Sequence, residues 1–269
     1  MNINEIYNED CFNTMQNMIN SNMSVDVVLT SPPYCTPNDD ARKYTDTKFN
    51  EYQVHYDVFE GFNSNDEYRE WSVKLFNSFD KILKNNGVVL YNISYTASNP
   101  DLVYLVISDI INNTNFTVVD CISWKKNNAL PQNQNANRLT RVCEFVYVLA
   151  RKSEVNTFKC NKEPSKNGKY KNLFYNYIEA PNNDILDRSV QKLNNATFSS
   201  KLVISLLEIY AEREWVIYDP FMGTGTTAVG CKQFGCSYIG SELSKAQVEF
   251  SKARVSGVNI KNTKQVKLF

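Results

Sequence analysis

Five consecutive residues, Thr30-Ser31-Pro32-Pro33-Tyr34, carry the groups needed to hold a flat ring by an amino substituent. The two prolines lack an N–H and keep the backbone extended, which leaves the carbonyls of Ser31 and Pro32 available as acceptors. Ser31 adds a small hydroxyl and Tyr34 a stacking face. An acceptor carbonyl, an acceptor hydroxyl and an aromatic plane suit a nucleobase bearing an exocyclic amine. The same five residues also fit a diproline strand terminator packed on a core tyrosine.

A second stretch, Trp215 to Thr227, reads as a strand, a glycine turn and the start of a helix. Gly223 and Gly225 let the backbone approach a ligand closely, and a helix running from Thr226 to Phe234 would present its free N–H groups there. With Ala228 the turn completes a G-x-G-x-x-A pattern, which points to a nucleotide or dinucleotide. Glu242, seventeen residues beyond Gly225, ends the next apparent strand, Tyr238 to Glu242, where a carboxylate accepts ribose hydroxyls. Taken alone, this half fits a nicotinamide oxidoreductase equally well.

Both stretches need strands behind them. Val25 to Leu29 is short, β-branched and apolar apart from Asp26, the pattern of a strand buried on both faces. Both chemistry-bearing stretches then sit at strand carboxyl ends, where the ligand crevice of a doubly wound sheet opens. Periodicity predicts helices over Cys11–Ile19, Asp66–Lys84, Pro100–Ile111, Phe198–Tyr210 and Ser244–Val255. Further strands are expected at Val88–Ile93, Thr117–Trp124 and Glu144–Ala150. The helix at Asp66 turns Tyr68, Trp71, Leu75, Phe79 and Leu83 to one side, and Asn86-Gly87 is read as its stop. Residues 35–65 form a polar loop too long for a plain connection. Its Tyr44, Tyr52, Tyr56 and Phe59 suit closure over a ligand or packing in an irregular lobe. From Arg151 to about Asn194 no period is visible.

The combination of T-S-P-P-Y, D-P-F-M-G-T-G-T-T and G-S-E resembles the DNA amino-methyltransferases, which move a methyl group from S-adenosylmethionine to cytosine N4 or adenine N6. With the catalytic motif first and the cofactor motif last, it is similar to their beta group, a circular arrangement of the same fold. Asn8-Glu9-Asp10-Cys11 resembles that group's G-D-C segment without its glycine. Ile122-Ser123-Trp124-Lys125-Lys126 with Pro131, Arg138, Arg141 and Glu144-Phe145 resembles its W-x-K…P…R…E-[FY] run. Asn195-Ala196-Thr197-Phe198-Ser199 with Leu202 resembles its H-P-A-T-F-P-x-x-L segment.

The resemblance implies an α/β fold, a doubly wound, mostly parallel, seven-stranded Rossmann-like sheet, circularly permuted, with a small target-recognition lobe. The catalytic half would be residues 1–150, including the loop 35–65, the recognition region 151–194 and the cofactor half 195–269. Ser31, Pro32, Pro33 and Tyr34 take the catalytic place. Asp219, Pro220, Phe221, Gly223 and Gly225, with Thr226 and Thr227, would cradle the methionine part of S-adenosylmethionine. Glu242 would hold its ribose and Asp10 its adenine, with Cys11, Thr30, Thr197 and Phe198 lining the same pocket. Asp10 equally suits the cap of the helix that follows it, and Phe198 a core position. Tyr44, Trp124, Lys125, Arg138 and Arg141 fall at DNA-facing positions. A serine at position 31 resembles the cytosine-N4 enzymes, with adenine N6 as the alternative. Double-stranded DNA is the implied partner, and a cognate restriction endonuclease and a homodimer are compatible with the resemblance.

Composition agrees with a soluble globule: 42% apolar and 13% aromatic over 269 residues. No run approaches the ~20 apolar residues of a membrane span, and the polar N-terminus does not read as a signal peptide, so the cytoplasm is expected. Seven cysteines, an odd number, argue against a disulfide framework, and a single histidine, His55, against a zinc site. The net charge of zero is unevenly spread. Residues 36–70 hold nine acids against four bases, and residues 124–172 eleven bases against three acids. The basic stretch is where a phosphate backbone would lie.

Overall fold

The computed structural model describes residues 1–33, 35, 61–95, 99–129, 137, 139–170, 174–184 and 197–257. Among them the middle layer is an eight-stranded sheet. Its strands are β1 (Glu5–Tyr7), β2 (Val25–Thr30), β3 (Leu83–Asn92), β4 (Phe116–Lys126), β5 (Cys143–Arg151), β6 (Tyr177–Ala180), β7 (Val216–Asp219) and β8 (Ser237–Ser241). They lie in the order β1-β8-β7-β2-β3-β5-β4-β6. Every pairing is parallel except the two made by β5. Helices α1 (Cys11–Asn20), α2 (Asn65–Ile82) and α3 (Leu102–Asn113) cover one face. On the other lie α4 (Ser200–Tyr210), α5 (Thr226–Phe234) and α6 (Lys245–Ser256). None of these helices is long and apolar enough to cross a membrane. All seven cysteines are free thiols.

β2 lies near the middle and is buried along its whole length. Its one acid, Asp26, is used as a brace. The carboxylate pairs with Lys84 Nζ at 2.8 Å and accepts from the Val216 backbone N–H at 2.9 Å, so β2 is fastened to both neighbours at the amino-terminal edge. Opposite directions of winding meet at this strand. The unit β2-α2-β3 steps one way across the sheet and β7-α5-β8 steps the other, so the order reverses between β2 and β7. That reversal opens the ligand crevice of such sheets.

Two strands were not legible. β6 arises inside the region expected to be a recognition lobe and pairs in parallel with β4 from Ser123 to Lys126, which makes the sheet eight-stranded rather than seven-stranded. It is an edge strand of four residues with Tyr177 and Glu179 facing out. β1, of three residues, pairs with β8. Helix α2 also stops earlier than Asn86-Gly87 suggested, at Ile82. Arg151 of β5 holds the junction: it donates to Asp80 O in the last turn of α2 at 2.9 Å and to Leu83 O at 2.6 Å and Lys84 O at 3.0 Å at the start of β3. Asn86 (φ 62°) and Gly87 instead shape the start of β3, where a Cβ on Gly87 would lie 2.6 Å from the Asp26 carbonyl.

Candidate active site

Because β2 and β7 are parallel neighbours, the diproline corner and the glycine turn leave the same edge of the sheet side by side. One carboxylate ties them together. Asp219, at the end of β7 and 1% exposed, accepts from the Thr30 hydroxyl at 2.8 Å, the Thr227 hydroxyl at 2.5 Å and the Phe221 N–H at 3.0 Å. Burial pushes its pKa up to about 6, and the three hydrogen bonds pull the other way. The side chains of Thr30, Asp219 and Thr227 are thus sealed and paired behind the crevice. This corrects the expectation that they line it: they set the distance between the two stretches.

Ser31 is only half-buried, and neither its hydroxyl nor its carbonyl, nor that of Pro32, takes a hydrogen bond from the described residues. A strand that runs into two prolines leaves this result, since neither proline can prolong the ladder. Cys35, two residues past Pro33, is buried beside the start of α2, with its Sγ 3.8 Å from Ser64 O and Asn65 Oδ1. The corner is therefore anchored on both sides of Ser31 and Pro32.

The glycine turn is left-handed at Gly223 (φ 53°) and Gly225 (φ 83°). At Gly225 a Cβ would also meet Ser251 Cβ at 2.7 Å, so α6 packs directly against the turn. Glu242, just past β8, accepts from Gly223 N–H at 2.8 Å and Ser244 N–H at 2.9 Å and is partly exposed. Asp10 caps α1 by accepting from Phe12 N–H at 2.8 Å, and its side chain is likewise partly exposed. Cys11 is buried. Asp10, Glu242, the glycine turn and Ser31 follow β1, β8, β7 and β2, four neighbouring strands, and so line one edge in that order. Thr197 and Phe198, partly buried, precede α4, with Phe198 packed on the core face that α4 covers. Phe221 leans on Trp71 of α2 at 5.6 Å between ring centres.

Three residues that sequence reasoning passed over hold this edge from beneath. Tyr218 OH lies 2.8 Å from Ser241 Oγ and donates to the Cys11 carbonyl at 3.3 Å, so one buried phenol ties the residues next to Asp219, Glu242 and Asp10. Asn8 donates its side-chain amide to Glu242 O at 3.0 Å and Leu243 O at 2.7 Å. The available signal was a polar residue inside an otherwise apolar strand, as at Tyr218 and Ser241.

The donor set fits a nucleoside joined to an amino acid. Asp10 and Glu242 offer carboxylate acceptors, α5 begins without a side-chain cap, and Thr224 between the two glycines has a buried hydroxyl with no partner among the described residues. An orphaned buried hydroxyl beside uncapped N–H groups suits a carboxylate ligand.

The DNA-facing positions divide. Trp124 is 1% exposed and donates Nε1–H to Ala180 O at 3.1 Å, so it is a buried pin between β4 and β6, which corrects its placement on the DNA. Lys125 is half-exposed and paired with Glu179, which also accepts from Tyr177 OH, and this pairing raises the lysine's pKa. Arg141 stacks over Tyr95 at 5.3 Å and donates to the Tyr95 carbonyl, at the catalytic edge beside β3. The basic stretch is split between the two edges. Lys152, which donates to Thr114 O, and Lys159, paired with Glu212, are fastened at the amino-terminal edge, away from the corner. Tyr34, Tyr44, Tyr52, His55, Tyr56, Phe59, Pro131, Arg138 and the pair 195–196 lie outside the described residues.

A family profile described as a DNA methylase, of the N6/N4 kind, matches residues 25–253. The Type II methyltransferase M.HinfI of Haemophilus influenzae is 23% identical over 265 residues, covering 94% of this chain and 68% of that protein. Among solved structures, the PvuII DNA methyltransferase (cytosine-N4-specific) superposes with a TM-score of 0.67 at 18% identity, covering 96% of this chain and 87% of its own. The M1.HpyAVI-SAM complex superposes at 0.64 with 22% identity, covering 93% and 98%.

Proposed function

The chain belongs to the N6/N4 DNA methylase family, and from that premise we propose that it methylates the exocyclic N4 amine of a cytosine turned out of duplex DNA, with S-adenosylmethionine as donor. One observation carries the reading. The half-buried Ser31 hydroxyl and the Pro32 carbonyl take no hydrogen bond from the described residues, and the Thr30–Asp219 hydrogen bond fastens them beside the glycine turn.

An exocyclic amine is a poor nucleophile because its lone pair is delocalised into the ring. If its two N–H bonds donate to Ser31 Oγ and Pro32 O, the nitrogen is drawn toward tetrahedral geometry with its lone pair freed. Both hydrogen bonds strengthen as positive charge grows on nitrogen, which favours the transition state over the ground state. Tyr34 would stack on the base, worth about 1 to 3 kcal/mol by comparison with other base–aromatic contacts. The bound donor supplies a methyl group already activated on a sulfonium. Asp10, Glu242 and the turn from Pro220 to Gly225 would hold that donor, and the fixed spacing between turn and corner supplies proximity. A base in a duplex cannot reach this crevice, so it must flip, at a cost of roughly a few kcal/mol.

Two facts support cytosine over adenine: serine rather than an acid or amide at position 31, and the PvuII relative's description as cytosine-N4-specific. M.HinfI is named a type II methyltransferase, which supports a place beside a restriction endonuclease. Incubation with labelled S-adenosylmethionine and duplex DNA, followed by digestion to nucleosides, tests the proposal. Labelled N4-methylcytosine is expected. Labelled N6-methyladenine would replace the base assignment, and label in neither would sink the proposal.

A further inference from the structure

Asp184, four residues past β6, has two partners. One carboxylate oxygen accepts from Ser200 N–H at 2.9 Å and Ser200 Oγ at 3.0 Å, in the first turn of α4. The other pairs with Arg254 Nη2, seventy residues away near the end of α6. The remaining arm of that guanidinium donates to Thr224 O at 3.0 Å and Thr226 Oγ1 at 3.1 Å. Thr224 is the residue between the two glycines, and Thr226 opens α5. One arginine therefore holds the cofactor turn with one nitrogen and the segment expected to read DNA with another.

The pair is not an ordinary surface contact. The Arg254 and Asp184 side chains are 11% and 22% exposed, and burial lowers the arginine's pKa while the acid opposes that shift. Removing the acid would strand a largely buried guanidinium, which would then seek water or another acceptor and move away from Thr224. Planar geometry makes the link directional, because a guanidinium satisfies two fixed directions at once and an ammonium does not.

We propose that Arg254 and Asp184 are positioning residues that couple the segment following β6 to the cofactor turn, so that cofactor and DNA each raise the affinity of the other through this ion pair. The inference rests on the proposed function. Coupling of this kind is reciprocal in binding free energy and commonly lies between about 5-fold and 150-fold.

The test uses the full chain with S-adenosylhomocysteine as a non-reacting probe, titrated with and without the duplex DNA that the wild type methylates. Asp184→Asn is expected to weaken S-adenosylhomocysteine binding about tenfold. DNA should tighten the probe in the wild type and leave its affinity nearly unchanged in Asp184→Asn. At saturating cofactor, kcat should stay within about twofold. The double variant with Arg254→Met should bind no more weakly than Arg254→Met alone, because both remove one link. Arg254→Lys should restore less than half of the loss. If Asp184→Asn lowers the melting temperature but leaves the probe's affinity and its response to DNA unchanged, the pair is only a brace and the inference fails. Additive losses in the double variant also overturn it. A wild type that binds no S-adenosylhomocysteine would overturn the proposed function itself.

Discussion

The edge formed by β1, β8, β7 and β2 and the edge formed by β4 and β6 belong to one sheet but are held by different means. On the first, the ties are hydrogen bonds from neutral donors: Thr30 and Thr227 on the buried Asp219, Tyr218 with Ser241, and two backbone amides on the partly exposed Glu242. On the second, one buried neutral pin, Trp124 on Ala180, is joined at the surface by an exposed ionic tie, Lys125 with Glu179 and Tyr177. A buried hydrogen bond leaves a full desolvation penalty when it breaks, about 1 to 3 kcal/mol. An exposed ion pair contributes about 1 kcal/mol or less. Chemistry on an amine needs donor and acceptor placed before the substrate arrives. A surface meeting a phosphate backbone can exchange its own carboxylates for phosphates at little cost. The first edge is built to stay and the second to trade partners.

The largest expected effect tests whether the first edge separates catalysis from cofactor binding. The Ser31 hydroxyl takes no hydrogen bond from the described residues, so Ser31→Ala should fold normally. Loss of one of two acceptors that act mainly in the transition state should lower kcat by about 10² to 10³. Cofactor affinity should change by less than about twofold, and equal losses in kcat and cofactor affinity would place the base elsewhere.

A smaller effect tests the tie itself. Asp219 has its carboxyl raised from 3.8 to about 6, mainly by burial. A raised folded pKa means that the protonated acid suits the fold better, so the group's contribution is complete below its unfolded pKa and is lost as the pH rises through about 6. Asp219→Asn cannot ionise. The stability of the wild type relative to this variant, from urea melts, should therefore decline by about 2 kcal/mol between pH ~4 and ~7. A flat difference would mean that the three donors hold the acid ionised throughout, and that the tie is stronger than burial suggests.

How legible each edge is follows from the same contrast. The corner, the glycine turn and Glu242 are contiguous motifs that each follow an apolar run, so they could be assigned to strand ends on one edge of the sheet. β2 announced itself through Val25, Val27, Val28 and Leu29, while the purpose of Asp26 emerged only with Lys84 and Val216 beside it. The second edge had no local pattern to offer. Tyr177-Ile178-Glu179-Ala180 alternates over four residues, too few to separate from loop, and becomes a strand because β4 presents it with a free edge. Trp124 was placed on the DNA by resemblance, which carried no sign of the edge strand that covers it. Arg151 looked like one more base in a basic stretch, but its guanidinium holds the junction of α2 and β3.

The smallest expected effect divides the basic stretch by position rather than by charge. Arg141 lies over Tyr95 at the catalytic edge, whereas Lys152 is fastened to Thr114 at the other. Each phosphate neutralised by a cation contributes about 0.9 to the slope of log affinity against log salt concentration. Arg141→Ala should therefore reduce that slope by about one phosphate's worth, and Lys152→Ala should leave it unaltered. The two variants remove the same formal charge, so a net-charge effect would shift both slopes alike. Equal slopes for the two would mean that DNA wraps past the edge of the sheet and that the contrast between its ends does not govern binding.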